Sequence, residues 1–169
     1  NPRSSYLLSK IVGEFLINYS KLNFVIFRPH NIFGPQMGFK HVIPQLTKKI
    51  LKDSKNKIVV QNAKHKRTFC DINFAIELIL KISHNKNSTK KIFNIGSPDR
   101  EITVIELAQK INKILSSKKK LVSSNIQKFN SPEKRKPDMK RSLRYTRLKH
   151  NFEKGLTETV LWYKEYYTK

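Results

Sequence analysis

The chain has 169 residues and carries 35 Lys and Arg against 12 Asp and Glu, a formal net charge of +23. That length suits one domain with a real core. Its lone cysteine, Cys70, builds neither a disulfide framework nor a zinc site, and no apolar run approaches the ~18 residues of a membrane-spanning helix. So high a charge ordinarily points to nucleic acid or an anionic surface. Here lysine supplies most of it, and Asn and Ile are abundant too, which is the drift expected of AT-rich coding. The runs Lys118-Lys119-Lys120 and Lys134-Arg135-Lys136 read as solvated loops.

The first predicted element is a helix, with apolar residues at Leu8, Ile11, Val12, Phe15, Leu16 and Tyr19 in helical period. Tyr6 and Lys10 lie four residues apart on one face of it. A phenol is a poor acid or base at neutral pH, and a nearby ammonium favours its phenolate form. Such a pair moves a proton to or from a sugar or alcohol oxygen while a hydride moves elsewhere. Next, Asn23 to Arg28 reads as a buried parallel strand. It ends in Pro29-His30-Asn31-Ile32-Phe33-Gly34-Pro35, a loop at the carboxyl end of a strand, where open α/β sheets bind ligands.

Val42 to Leu51 reads as a helix. Lys57 to Val60 and Arg67 to Ile72 read as strands joined by a polar turn, and Cys70 falls in the second as a small buried residue. Phe74 to Ile82 returns to helical period, and Lys91 to Ile95 is a strand. Thr103 and Glu106 have capping-box spacing and start a helix ending near Leu115. Residues 116 to 138 read as a basic loop around a short strand. Glu153 to Tyr167 reads as an amphipathic helix through Leu156, Val160, Tyr163 and Tyr167. Most aromatics fall on the apolar faces of these elements and are expected in the core.

Several segments recur in one family's order and spacing. They are Tyr6-Leu7-Leu8-Ser9-Lys10 with Gly13-Glu14, then Arg28 to Pro35, then His41-Val42-Ile43-Pro44. Further on come Arg67-Thr68-Phe69-Cys70-Asp71-Ile72, Phe93-Asn94-Ile95-Gly96, Arg135-Lys136-Pro137-Asp138, and Gly155-Leu156 with Trp162-Tyr163. In these the chain resembles the extended short-chain dehydrogenase/reductase family of nucleotide-sugar epimerases, dehydratases and decarboxylases.

The resemblance implies an α/β fold: the carboxyl-terminal part of a Rossmann-type parallel sheet plus a small α+β substrate-binding region. The family's glycine-rich phosphate loop precedes the catalytic tyrosine, and the five glycines here form no such run. Ser4 and Ser5 stand too close to Tyr6 to be the family's catalytic Ser or Thr. Residues 1–169 are therefore expected to be the carboxyl-terminal part of an NAD-dependent epimerase/dehydratase that is inactive by itself. The cofactor implied is NAD ahead of NADP. A nucleotide sugar, UDP-linked first, is the implied substrate, the complete protein a homodimer, and the location cytoplasmic.

The roles implied are specific. Tyr6 is the acid/base. Lys10 supports it and bonds the nicotinamide ribose. Pro29 and His30 lie against the nicotinamide. Asn31 touches the substrate's sugar or phosphate, or else caps a turn. Arg67 and Arg135 grip the diphosphate with paired, charge-assisted bonds. Asp138 bonds the nucleotide ribose, or else caps the next helix. His41 follows a loop, Met37-Gly38-Phe39, able to close over substrate.

Three departures stand out. Asn73 and Phe74 occupy positions where an acidic residue near the next helix start is usual. Phe33 replaces a common Tyr, and the segment before Gly155 is short. Two other readings compete: a basic nucleic-acid-binding module, and a diverged non-catalytic relative.

Overall fold

The computed structural model describes residues 2–124 and 134–169, with side chains from Ser4. Helix α1 (Pro2–Tyr19) leads into β1 (Val25–Pro29) and the short β2 (Ile32–Phe33). Then come α2 (Val42–Lys52), β3 (Lys57–Val60), β4 (Lys66–Arg67), β5 (Cys70–Asp71) and α3 (Ile72–Ser83). After a single 3₁₀ turn the chain makes β6 (Lys91–Ile95), β7 (Ile102–Thr103) and α4 (Val104–Ile114). β8 (Lys120–Ser123), β9 (Lys134–Arg135), α5 (Lys140–Leu143) and α6 (Phe152–Thr168) complete it. The predicted helices and most strands form near their expected bounds. The stretch 125–133 of the predicted basic loop lies outside the described residues.

Two cores organise the molecule. In the first, β1 and β6 pair in parallel from Val25 opposite Lys91 to Pro29 opposite Ile95. Phe93 and Ile95 pack there with Phe74, Ala75, Leu78 and Ile82 of α3 and with Met139. A parallel pair needs a helix on its face, and α3 supplies it. Tyr145, after α5, closes the end with its ring edge-on to Phe93 at 5.0 Å.

In the second core, β3 and β8 pair in parallel. Ile58 and Val60 alternate inward, and α2, α4 and α6 cover them with Ile43, Leu46, Ile50, Leu107, Ile111, Leu156 and Val160. Each such side chain contributes about 1.5–3 kcal/mol when fully buried. Helix α4 starts on the predicted capping box: Thr103 Oγ1 accepts from Glu106 N, and the Glu106 carboxylate accepts from Thr103 N. Those bonds hold the Glu106 carboxyl below the usual range.

The two cores meet at short pairings. β2 pairs with β5 in parallel, and β4 lies between β7 and β9. The predicted single strand over Arg67 to Ile72 is therefore broken into β4 and β5, which belong to different sheets. Thr68 and Phe69 turn inward between them, both buried. The chain switches layers there, which periodicity cannot express.

One further expectation is corrected: an acidic residue does stand at the start of α3, where Asp71 caps the helix, accepting from Asn73 N at 3.0 Å and Phe74 N at 3.3 Å. Most of the described aromatics are buried or partly buried, as expected, whereas Tyr6, Phe15, Tyr19, Phe39 and Tyr166 are exposed. The apolar stripe of α1 is likewise open, with Leu8, Ile11, Phe15 and Leu16 each more than half exposed. Among the described residues, no helix is long and apolar enough to cross a membrane.

Candidate active site

The carboxyl end of β1 is where most of the predicted residues converge. Pro29 closes the strand, and His30 N donates to Ile95 O of β6 at 2.8 Å. Asn31 then takes a left-handed conformation with φ 46°, which Asn tolerates better than most residues. Its side-chain amide donates to Thr68 O at 3.0 Å, and its own carbonyl accepts from Cys70 N at 3.0 Å. These bonds pin the end of β1 to the layer switch.

Gly96 makes room beside it. A β-carbon there would lie 2.7 Å from Pro137 Cγ and 3.4 Å from His30 Cβ. The absence of a side chain thus lets the Pro137–Asp138 segment approach His30. Asn94 Nδ2 fixes that segment by donating to Asp138 O at 2.9 Å.

Two guanidinium groups stand next to this corner. Arg67 on β4 and Arg135 on β9 are register partners on adjacent parallel strands. Burial, then the neighbouring Arg135 charge, holds Arg67 below its usual proton affinity. His30 feels the same field. Burial chiefly, then Arg135 and Arg67, pushes its imidazole below the usual histidine range. Its Nδ1 is buried and has no hydrogen-bond partner among the described residues. The pair, Arg67 partly buried and Arg135 exposed with Glu101 close to both, stands beside the imidazole. It suits an anion with several oxygens.

A cavity of about 370 Å³ opens beside Arg67. Asn31, Lys40, Gln45, Asn62, His65 and Arg67 are among its lining residues. Lys40, Gln45, Asn62 and His65 escape a sequence reading. They come from the α2 approach, α2 itself and the β3–β4 turn, and only the fold gathers them. One local signal did exist: Asn62 has φ 51°, as a tight polar turn before β4 favours.

Other predicted residues land elsewhere. Tyr6 and Lys10 share one face of α1, with Lys10 Nζ 5.4 Å from the Tyr6 ring centroid. Their helix is tied to β1 by Glu14, which accepts from Arg28 Nε at 2.8 Å and from a terminal Arg28 nitrogen at 2.5 Å. The Tyr6 ring is 66% exposed, so the pair is presented outward. His41 is exposed at the N-cap position of α2 and makes no side-chain capping bond. Asp138 accepts from Lys140 N at 2.9 Å but stands one residue ahead of Met139, the N-cap of α5, so it is not the cap its alternative reading made it. Phe39 does not line the 370 Å³ cavity; it lies on α6, against Tyr163, Tyr166 and Tyr167.

Cys70 is fully buried, and burial, then the Asp71 and Asp99 charges, pushes its thiol up to about 12. It is a packing residue, as its sequence position suggested. A second cavity, about 350 Å³, is lined in part by Ser97, Asp99, Lys110 and His150. His150 is wholly buried there. Its Nε2 accepts from Asp71 N at 2.9 Å and its Nδ1 lies 2.5 Å from Asp99. Both ring nitrogens are thereby committed to holding the chain together.

Comparison with known proteins follows the same lines. Residues 1–96 match the NAD dependent epimerase/dehydratase family. The bifunctional polymyxin resistance protein ArnA of Wigglesworthia glossinidia brevipalpis is 36% identical over 139 residues, 77% of this chain and 20% of that protein. A UDP-N-acetyl-alpha-D-glucosaminuronate decarboxylase of Bacillus cytotoxicus is 30% identical over 176 aligned positions, 96% of this chain and 54% of that protein. The chain thus spans about half or less of the length of these curated relatives. An epimerase structure from Methanothermobacter thermautotrophicus shares the fold with a TM-score of 0.79 at 19% identity, covering 96% of this chain and 49% of that one. By its motifs, its parallel α/β architecture and its matched residues, the chain belongs to the NAD dependent epimerase/dehydratase family.

Proposed function

We propose that residues 1–169 form the carboxyl-terminal, substrate-binding part of an NAD-dependent enzyme that modifies the sugar of a nucleotide sugar. The observation that carries this reading is the side-by-side placement of Arg67 and Arg135 next to His30, with Arg67 lining the cavity that Asn31 also lines. Two adjacent guanidinium groups match the two phosphates of a nucleoside diphosphate. Among such substrates a UDP-sugar ranks first.

The residues at the end of β1 fit the nicotinamide end of a dinucleotide. Pro29 and His30, whose Nδ1 has no partner among the described residues, lie where Gly96 lets Pro137 approach, and Lys10 stands beside Tyr6 to bond a ribose hydroxyl. When bound, NAD supplies the hydride acceptor. The residues of this chain do the rest. Tyr6 takes the proton from the sugar hydroxyl as a 4-keto sugar forms, and Lys10 favours the phenolate that does so. Asn31 orients the sugar, Arg67 and Arg135 hold the diphosphate, and Asp138 bonds the nucleotide ribose.

The test is Tyr6→Phe in the complete protein. Turnover should fall by the ~10²–10⁴-fold of a lost acid/base group while NAD binding holds. Undiminished activity on every accepted nucleotide sugar would remove the assignment.

A further inference from the structure

The loop between β2 and α2 carries Lys40 to the rim of the 370 Å³ cavity, and something must hold that loop in place. Among the described residues its polar anchors are its own turns and α6, which also bonds the first turn of α2. Met37 N donates to Gly34 O at 3.3 Å and His41 N to Gly38 O at 3.0 Å, two tight turns in succession. The Tyr163 hydroxyl donates to Met37 O, and the Tyr167 hydroxyl to Pro44 O at 3.4 Å.

Between those anchors sits Phe39, immediately before Lys40. Its ring lies 5.7 Å from that of Tyr163, at 83°, an edge-to-face contact. Tyr166 lies 5.0 Å away and Tyr167 6.3 Å away. Trp162 backs the cluster, stacked on Tyr166 at 5.5 Å. Edge-to-face and offset contacts of this kind hold a ring in one orientation. Yet Phe39 remains 48% exposed, so it contributes little to the core itself. An apolar ring kept at the surface by three tyrosines from the last helix is oddly placed for a packing residue. It is well placed to fix its neighbour.

Lys40 is the neighbour. Among the described residues its ammonium forms no ion pair. It shares the cavity lining with Asn31 and Arg67.

We infer that Lys40 is a further anion-binding residue for the substrate diphosphate, and that Phe39 is its positioning residue, seated in the aromatic cup of α6. This rests on the nucleotide-sugar reading and extends it by two residues. The carboxyl-terminal helix thereby takes part in substrate binding, although its aromatics stay outside the cavity that holds Lys40.

The test is titration of UDP into the complete protein by calorimetry, with wild type and the variants Lys40→Ala, Phe39→Ala, Phe39→Tyr, the double Phe39→Ala/Lys40→Ala, and Arg67→Ala. Lys40→Ala should weaken UDP binding roughly three- to tenfold, and Phe39→Ala nearly as much. The double variant should bind like Lys40→Ala alone, because residues acting through one contact are not additive. Phe39→Tyr should restore wild-type affinity. Lys40 is exposed, so its replacement leaves the thermal midpoint unchanged and folding does not obscure the result. The inference fails if Arg67→Ala loses UDP while Lys40→Ala and Phe39→Ala do not. It also fails if the Phe39 and Lys40 effects simply add. Wild type that binds no UDP overturns the nucleotide-sugar reading itself, and this inference with it.

Discussion

Gly155 of α6 lies directly against the carboxyl group of Asp71. A β-carbon at Gly155 would come within 2.7 Å of Asp71 Cγ. The contact matters because Asp71 serves both halves of the molecule. Its carboxylate caps α3 in the first core, its N–H donates to the buried His150, and α6 of the second core passes over it. Gly155→Ala should therefore destabilise the protein despite alanine's better helix propensity, worth ~1 kcal/mol. Overpacking of this kind typically costs ~1–3 kcal/mol, read as a Tm drop of roughly 2–4 °C per kcal/mol in a chain of this size. An unchanged or raised Tm would show that the backbone yields at no cost.

The arginine pair predicts a difference between ligands. Arg135→Ala or Arg67→Ala should weaken nucleotide-sugar binding more than NAD binding in the complete protein. A charge-assisted bond is worth ~1.5–3 kcal/mol, roughly ten- to a hundredfold in affinity. Equal losses for both ligands would point to general unfolding.

His30 predicts a pH dependence of stability. Burial and the two arginines lower its proton affinity in the folded state from the ordinary value of 6.5. Below pH 6.5 the unfolded chain takes up a proton that folded His30 resists, so stability falls as pH drops. The loss stops growing once the folded imidazole also protonates. Above pH 6.5 His30 contributes no slope. Urea titrations from pH 8 to pH 5 should show His30→Asn losing less stability than wild type on acidification. Parallel curves would show that His30 is protonated equally in both states.

The net charge of +23 makes its own prediction. If that charge is compositional, DNA and RNA binding should be weak, blind to sequence and lost as salt rises, because counterion release alone drives it. Nucleotide-sugar binding should decline far less over the same range. Half-exposed Phe39 and Tyr166 give the nucleic-acid reading a stacking surface, at 48% and 52% exposure. Tight, sequence-selective binding at physiological salt, with no nucleotide-sugar binding, would reverse the functional reading.

The sequence alone determined the elements and the family. Period 3.6 marked α1, α2, α3, α4 and α6, because an amphipathic helix repeats its apolar stripe at that spacing, whether the stripe meets a core or, as in α1, stays open among the described residues. Thr103 and Glu106 announced the start of α4, because a capping box is entirely local. The motifs around Tyr6, His30, Arg67 and Arg135 were legible for the same reason: each is a short run with its own spacing. Tertiary structure decided what no run contains. It broke Arg67 to Ile72 across two sheets, put Arg67 beside Arg135 from 68 positions away in the chain, and seated Phe39 on a helix that begins at Phe152. It made Asp71 the cap of α3, with His150 accepting from the Asp71 N–H and Gly155 leaving room for its carboxylate. Local patterns carry the propensity of a segment and the identity of its side chains. Which distant segments those side chains meet is set by how two cores close against each other.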